Sequence, residues 1–298
     1  MGLVSRRNFV KSAAAAAAML EARGAWANPL GLPLGLQLYS VRELLPKDYE
    51  GTLQQLSAMG YQEVEAAGFF KHSAAEVKQA MEAAHLRCVS AHYGMSDLQP
   101  HLDEIIDFAK GAGLEYIVCS SPMMRNPPKG LKWNAMMEAV PLDDWKWNAE
   151  QFNTIGEKVQ QAGMKFGYHN HFVEFHRKEG GVRPYDVILQ TTDPKLVTME
   201  MDVGWVVIGG GSPEEYLTRY PTRFSMLHVK QFKLRGWKPG KEPVSTEMNQ
   251  GSLDYKSIFA AAKQASVRHI FVEQEAFPDM PPMQALRVDA DWLKAFSG

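Results

Sequence analysis

The stretch from residue 197 to residue 229 contains one complete strand–helix–strand unit. It begins with Val-Thr-Met-Glu-Met-Asp (197–202), continues through Ser-Pro-Glu-Glu (212–215) and ends with Phe-Ser-Met-Leu-His-Val (224–229). The two apolar runs predict buried strands. Ser212 followed by Pro213 predicts the start of a helix, because serine caps helix N-termini and proline suits the first helical position. A repeated unit of this kind builds a parallel sheet covered by helices.

Similar units recur along the chain, with apolar residues at helical spacing between short apolar runs. One such helical stripe is Leu102, Ile105, Ile106 and Ala109. The predicted strands are Leu34–Tyr39, Glu63–Ala66, Cys88–His92, Tyr116–Ser120, Lys165–His169, Val197–Asp202, Phe224–Val229 and His269–Gln274. Eight alternations predict an α/β fold of the (β/α)8 TIM-barrel type. An open doubly wound sheet is disfavoured because Ser40-Val41-Arg42-Glu43, after the first strand, is not a glycine-rich phosphate loop.

The first 27 residues have the pattern of an export signal. Arg6 and Arg7 form a twin-arginine pair, the short apolar run 13–20 follows, and Ala25-Trp26-Ala27 offers small residues at a cleavage site. We therefore predict a Tat signal over residues 1–27, a single barrel domain over residues 28–298, and a periplasmic protein. The apolar run is too short to span a bilayer, and we expect no later membrane segment.

Composition restricts the partners. The 298 residues carry 32 basic and 34 acidic side chains, for a net charge of −2. This charge balance does not provide the excess of basic residues that nucleic-acid-binding proteins have, so we expect no nucleic acid as a partner. The two cysteines, Cys88 and Cys119, lie in apolar runs and exclude a disulfide framework. We expect a small-molecule substrate, and a homo-oligomer is possible.

Polar and titratable side chains follow the predicted strands. Because a barrel carries its active site at the carboxyl ends of its strands, these residues are the candidates for function. They are Tyr39, Glu65, His92, His169, His171, Glu174, Asp202, His228, Glu273 and Glu275.

Three of these candidates suggest a divalent metal. Asp202, His228 and Glu273 each end a buried strand, where an unpaired charge is costly unless it meets a cation. Carboxylates with one imidazole suit Mn²⁺, Co²⁺, Mg²⁺ or Zn²⁺. Glu200 is a possible substitute ligand if it shares the face of Asp202. Taken singly, a strand-end Asp is more often a helix N-cap, and a strand-end His more often a hydrogen-bonded core residue.

The connection 121–144 is unusually long and contains four prolines, four methionines and Trp133. A long connection in a compact domain is usually functional or disordered. Its apolar content favours a lid over the barrel mouth, in which Trp133, Met123, Met124, Met136 and Met137 cover the substrate.

Short motifs along nearly the whole mature chain resemble the sugar phosphate isomerase/epimerase family of xylose isomerase-like TIM barrels. They are Leu36-Gln37-Leu38-Tyr39-Ser40-Val41-Arg42, Tyr61-Gln62-Glu63-Val64-Glu65, Tyr168-His169-Asn170-His171 with Glu174-Phe175, Met201-Asp202-Val203-Gly204-Trp205, His228-Val229-Lys230 and Val272-Glu273-Gln274-Glu275. Each motif is weak alone, but their order along the chain is specific.

The resemblance implies one divalent metal, with Mn²⁺ the preferred ion, held by Glu174, Asp202, His228 and Glu273. In the epimerases the first of these ligands is a Glu on strand 5, where this chain has His169. The catalytic candidates are then Glu174, Glu273, His169 and His171. The residues expected to contact the substrate are Tyr39, Glu65, His92, Trp205, Lys230 and Glu275.

The resemblance also implies a metal-dependent sugar isomerase or epimerase that moves a proton through an enediolate. The additional histidines suggest an alternative, a lyase or hydratase that eliminates from 3-keto-sugars or 3-keto-glycosides. A non-enzymatic alternative is a periplasmic sugar-binding barrel. Proton exchange of keto-sugars in D₂O would separate an enzyme from a binding protein.

Overall fold

The computed structural model describes residues 28–296, so the predicted signal over residues 1–27 lies outside the described residues. The barrel strands are β1 (Leu34–Gln37), β2 (Glu63–Ala66), β3 (Arg87–Gly94), β4 (Tyr116–Ser121), β5 (Lys165–His169), β6 (Val197–Asp202), β7 (Phe224–Val229) and β10 (His269–Val272). They close in the order β1-β10-β7-β6-β5-β4-β3-β2, and every pairing is parallel. The predicted TIM barrel is confirmed.

The helices lie between the strands and cover the outside of the barrel. They are α1 (Tyr49–Met59), α2 (Ala74–Ala83), α3 (Met95–Ala112), α4 (Trp133–Ala139), α5 (Leu142–Gln161), α6 (Pro184–Thr191), α7 (Val203–Ile208), α8 (Pro213–Arg219), α9 (Tyr255–Ala262) and α10 (Pro282–Ala295). Ser212 caps α8 as predicted, because its hydroxyl accepts a hydrogen bond from the Glu215 amide at 3.1 Å. Within residues 28–296, no helix combines the length and apolar character needed to cross a bilayer.

The structure differs from the predicted strands mainly at their ends. β1 stops at Gln37, because the chain turns into a 3₁₀ helix over Leu38–Val41. A short antiparallel hairpin, β8 (Gln231–Lys233) with β9 (Val244–Thr246), was not predicted. Each of its strands has three residues, which is too short for an alternating pattern to stand out.

The barrel interior has an apolar floor beneath the strand ends. Val89, Tyr116, Val118, Met226 and Phe271 form a buried cluster separate from the larger core under the helices. Met226 comes two residues before His228, and Phe271 two residues before Glu273. Alternate residues of a strand share a face, so the polar strand-end residues project into the barrel directly above this floor.

Two irregularities in strand pairing fall beside polar residues. The β2–β3 register shifts between Val64 and Glu65, and the β6–β7 register shifts between Met199 and Glu200. Bulges of this kind bend a strand and reorient its side chains. Glu65 and Glu200 both follow a shift and are both fully buried, so the irregular register helps to bring them to one place inside the barrel.

Candidate metal centre and active site

The strand ends assemble two groups of side chains that share His228. The first, which we call the inner group, contains His92, His169, Glu200 and His228. The second, the outer group, contains Asp202, His228 and Glu273. In each group the potential ligand atoms all lie within 4.8 Å of one another. The structure thus brings Asp202, His228 and Glu273 together, as the sequence led us to expect.

The inner group is centred on the Glu200 carboxylate. Its Oε2 atom lies 2.7 Å from His92 Nε2, 3.0 Å from His169 Nδ1 and 3.3 Å from His228 Nε2. Glu65 adds a second carboxylate, because its Oε1 atom lies 2.7 Å from the Nε2 atoms of both His92 and His228. Three imidazoles and two carboxylates therefore meet in one buried place.

The outer group is arranged around the ammonium group of Lys230. Lys230 Nζ lies 2.9 Å from Asp202 Oδ2 and 2.7 Å from Glu273 Oε2, and it also forms an ion pair with Glu275. His228 Nδ1 lies 3.2 Å from Glu273 Oε2 and 3.8 Å from Asp202 Oδ2. Asp202 is also the N-cap of α7, since its Oδ1 accepts a hydrogen bond from the Trp205 amide at 2.8 Å. Asp202 therefore caps α7 with one carboxylate oxygen and contacts Lys230 with the other.

Electrostatics couple these groups strongly. Burial lowers the pKa of His92, but the carboxylates of Glu65 and Glu200 outweigh burial and raise it to about 9. Burial and Glu65 raise the pKa of Glu200, but the surrounding imidazoles lower it to about 2. Despite burial, the pKa of Lys230 is raised well above its usual range by Asp202, Glu273 and Glu275. The carboxylate of Glu200 is thus held as an anion by the imidazoles beside it.

Glu65 is held in place from below. Gln37 Nε2 donates a hydrogen bond to Glu65 Oε1 at 2.7 Å, and Ser90 Oγ donates one to Oε2 at 2.5 Å. Sequence reasoning missed Gln37 and Ser90. The period of two in a strand could have found Ser90, which shares a face with His92.

The structure does not bring Glu174 to the other expected ligands. Its Oε1 atom accepts hydrogen bonds from the Tyr168 hydroxyl at 2.7 Å and from the His171 amide at 2.9 Å. Tyr168 points away from the barrel interior and packs on Phe152 of α5, with ring centroids 5.0 Å apart. The expectation that Glu174 is a metal ligand, or acts on substrate, is therefore corrected: its carboxylate fixes the loop after β5 and thereby positions His171.

Above the two groups lies an open cavity of about 1150 Å³. Seven predicted site residues line it: Tyr39, His92, His169, His171, Trp205, Glu273 and Glu275. Trp205 Nε1 donates a hydrogen bond to Glu275 Oε1 at 3.0 Å, which joins an aromatic wall to a carboxylate. This arrangement suits a polar ligand with apolar faces, such as a sugar.

Two residues expected to contact the substrate lie deeper than predicted. Glu65 and Lys230 are both fully buried, and neither lines the cavity. Glu65 lies against His92 and His228, and Lys230 lies among carboxylates, 4.8 Å from the Trp205 ring centroid. Both residues support the groups that line the cavity rather than face it.

The lid expectation holds for one residue. Trp133, at the start of α4, lines the cavity, and its ring centroid lies 4.9 Å from that of His171. Met123, Met124, Met136 and Met137 are not among the cavity-lining residues. Met137 is buried in the core, and Met123 and Met124 pack against it, because this segment needs apolar residues to attach it to the barrel.

The donor set of the site fits a divalent metal ion. Imidazole nitrogens and carboxylate oxygens in one buried cluster are the ligands that first-row divalent ions prefer. Glu200 Oε1 is buried and has no hydrogen-bond partner among residues 28–296, although buried carboxylate oxygens are normally satisfied. A cation beside Glu200 would satisfy this oxygen.

Comparisons with known proteins agree with the fold. An inosose dehydratase of Lacticaseibacillus casei is 22% identical over 255 residues, covering 77% of this chain and 83% of that protein. The crystal structure of a sugar phosphate isomerase/epimerase from Parabacteroides distasonis superposes with a TM-score of 0.70 at 26% identity, covering 89% of this chain and 94% of the other. By name, both are sugar-processing enzymes.

A third similar protein, IolI, has a crystal structure with a bound zinc atom. It matches with a TM-score of 0.60 at 13% identity, covering 87% of this chain and 96% of the other, and so shows the fold alone. The sequence model of one family, described as the xylose isomerase-like TIM barrel, matches residues 53–296. Together with the closed eight-stranded barrel, this match shows that the chain belongs to the xylose isomerase-like TIM barrel family.

Proposed function

We propose that the protein is a divalent-metal-dependent lyase that eliminates water or another oxygen leaving group from a keto-sugar, with 3-keto-sugars and 3-keto-glycosides as the substrate class. The observation that carries the proposal is the cavity wall formed by His171, Glu273 and Glu275. It offers a neutral imidazole to take a proton and, behind the carboxylates, an ammonium group to supply one. Relatives named inosose dehydratase support a lyase over an isomerase.

His171 is the proposed base. Burial and the nearby ammonium of Lys230 lower the pKa of His171 to about 3, so its imidazole is neutral but weakly basic, and it can take a proton only from a C–H bond that a bound metal ion would acidify. Glu273 acts in the opposite direction and would stabilise the imidazolium that forms. The imidazole would take the hydrogen next to the carbonyl as a proton, and the electron pair of the broken C–H bond would form the C=C bond.

Lys230 and Glu275 form the proposed acid side. The leaving oxygen departs with the electrons of its C–O bond and needs a proton. Lys230 is paired with Glu275, and Glu275 is fixed by the Trp205 indole and lines the cavity. Because Lys230 is buried behind Glu275, the proton would reach the leaving oxygen through the Glu275 carboxylate and not through His171.

A bound divalent ion would supply polarisation of the keto oxygen, which acidifies the neighbouring C–H bond. We propose Mn²⁺ as the ion, with Co²⁺, Mg²⁺ or Zn²⁺ as alternatives, on the donor chemistry of the site and the family resemblance. The residues that would hold it belong to the inner and outer groups.

The second candidate is the sugar isomerase or epimerase. The Parabacteroides relative carries that name, and two carboxylates line the cavity beside His171 and could return a proton to another carbon. The lyase has more support because several relatives from different bacteria carry the name inosose dehydratase.

One experiment separates the candidates. The metal-loaded protein is incubated with a 3-keto-glucoside in D₂O, and the products are followed by NMR and by ultraviolet absorption. An unsaturated ketone together with the released alcohol supports the lyase. A deuterated isomer without unsaturation supports the isomerase, and recovery of unlabelled substrate contradicts both and favours a binding protein.

A further inference from the structure

We infer that the cavity holds a second ring beside the keto-sugar, so that the preferred substrate is a neutral glycoside whose leaving group is an aryl ring or another sugar. The second ring would lie in the outer half of the cavity, which is the part lined by Trp133 of α4 and by Trp237 of the turn between β8 and β9. This inference rests on the proposed function, because the oxygen that leaves would carry the second ring.

The cavity is larger than a single sugar ring requires. Its volume of about 1150 Å³ exceeds the roughly 300–1,000 Å³ of pockets that enclose drug-sized molecules. The groups proposed to act on the sugar, His171, Glu273 and Glu275, lie at or just after strand ends. Much of the remaining wall comes from two insertions beyond the strands, α4 after β4 and the turn 234–243 after β8. One ring on the reacting groups would leave the space beside these insertions unfilled.

Aromatic side chains line this outer half. Tyr39 and Trp133 are 41% and 39% exposed, and within residues 28–296 they are the two aromatic residues among the large exposed apolar side chains. Both line the cavity, as does Trp237. The Trp237 Nε1 donates a hydrogen bond to the Lys241 carbonyl oxygen at 2.8 Å within its own turn, so its polar atom is already used. Its ring therefore offers carbon surface, which suits the apolar face of a ligand ring.

The three aromatic residues belong to separate parts of the barrel mouth. Tyr39 follows β1, Trp133 follows β4, and Trp237 follows β7 and the short strand β8. In the closed barrel, β7 lies three strands from β4 and two strands from β1. Rings placed in this way surround a ligand from several sides instead of forming one stacking surface. This placement favours a ligand with more than one ring.

The charged side chains of the cavity favour a neutral ligand. Among the lining residues, Lys241 is the single lysine or arginine, whereas five carry carboxylates. These five are Asp97, Glu138, Glu242, Glu273 and Glu275. A phosphorylated sugar would bring further negative charge to these carboxylates, and like charges repel. Phosphate groups are usually recognised by arginine forks and lysines, so an unphosphorylated glycoside fits this lining better.

Glucosides that differ only in the second group test the inference. Methyl β-D-glucoside supplies the sugar alone, whereas phenyl β-D-glucoside and cellobiose add an aryl ring and a sugar ring, and none of them carries the keto group needed for elimination. By isothermal titration calorimetry of the metal-loaded protein, we expect one of the two-ring ligands to bind at least about tenfold more tightly than the methyl glucoside, because each aromatic contact contributes about fivefold. The tighter of the two identifies the second ring. Equal affinities for all three, or no detectable binding, would overturn the inference.

Variants of the turn separate a ligand contact from a structural role. We expect Trp237→Ala to weaken binding of the two-ring ligand about fivefold and to change binding of the methyl glucoside less than about twofold, since only the second ring loses an aromatic contact. Trp237→Phe should retain most of the affinity, because it keeps a ring. Lys238→Ala is the control, an exposed neighbour that does not line the cavity. Equal losses for both ligands in Trp237→Ala would overturn the inference.

Glucose 6-phosphate and glucose test the charge preference in the same titration. We expect the phosphate ester to bind more weakly than glucose, and tighter binding of the ester would overturn the neutral substrate class. These titrations are independent of the reaction. A preference for a two-ring ligand without elimination from any 3-keto-glycoside would leave the second-ring site intact and refute the proposed lyase. Elimination by a protein that binds all three glucosides equally would do the opposite.

Discussion

His171 is the residue on which the proposed elimination depends most directly. We expect His171→Asn to lower kcat by about 10²–10⁴-fold, the usual contribution of a general base, and to leave the bound metal unchanged. Single-turnover assays with elemental analysis of the same samples would measure both. Loss of metal would instead make His171 a ligand, and unchanged turnover would refute its role.

Asp289 provides a residue-scale test away from the site. Its Oδ1 accepts a hydrogen bond from the Met248 amide at 2.7 Å, inside the contact between α10 and the segment after β9. Burial and the nearby Glu247 raise the pKa of Asp289 to about 7. The folded state therefore holds a proton that the unfolded chain releases near pH 4, so the free energy of unfolding should fall as pH rises from about 4 to about 7.

We expect Asp289→Asn to remove this decrease, which amounts to about 2–4 kcal/mol, because Asn keeps the acceptor and does not titrate. Urea unfolding between about pH 5 and pH 8, at constant metal saturation, measures the effect. Asp291→Asn is the control, because Asp291 lies exposed on the same helix. Parallel pH profiles for wild type and Asp289→Asn would contradict the prediction.

At the scale of elements, α4 lines one side of the cavity, beginning at Trp133, and the segment before it joins α4 to β4. Arg125 anchors this segment, because its Nε lies 2.6 Å from Asp144 Oδ1. We expect Trp133→Ala to raise KM about fivefold, since an aromatic contact contributes about 1 kcal/mol, without changing the metal content. Leu131→Ala is the matched control, an equally exposed residue that does not line the cavity. Equal KM values for the two variants would refute a substrate contact.

The elements themselves were largely predictable from sequence, and the reasons are local. Gly60, Gly113 and Gly163 adopt φ values of +97°, +79° and +82°. Glycine favours such left-handed conformations at the ends of helices, so these three residues predict helix ends from sequence alone. The pairing around Glu65 and Glu200 was not predictable, because a register shift depends on the neighbouring strand. The prediction that Glu174 is a metal ligand was wrong for a related reason.

Glu174 is close to His171 in sequence, but its carboxylate is hydrogen-bonded to the Tyr168 hydroxyl, which lies outside the barrel interior.

At the scale of the whole molecule, the barrel predicted from eight strand–helix alternations is the one observed, and its strand ends meet at one mouth. The pairing of Lys230 with Asp202, Glu273 and Glu275 could not be predicted, because it joins three strands and the segments that follow them. The sequence shows which residues lie at the end of a strand. Only the closed barrel determines which of these residues contact the same charged side chain, as Asp202, Glu273 and Glu275 contact Lys230.

Export concerns the whole molecule as well. We propose that residues 1–27 direct the protein through the twin-arginine route. Changing Arg6 and Arg7 together to Lys should leave the uncut protein in the cytoplasm, because the pathway reads the arginine pair. Fractionation and immunoblotting would measure this, with Lys11→Arg as the charge-preserving control. Normal periplasmic recovery of the double variant would refute the proposal.

The apolar floor of Val89, Tyr116, Val118, Met226 and Phe271 has a consequence for ionic strength. Dissolved ions screen charges that they can surround, and these side chains close off the space beneath the buried groups of the site. Dissolved salt ions therefore cannot reach the ion pairs of the site through this apolar cluster, and they do not screen these ion pairs from that side. Added salt therefore approaches these groups from the open cavity above them and not from the floor.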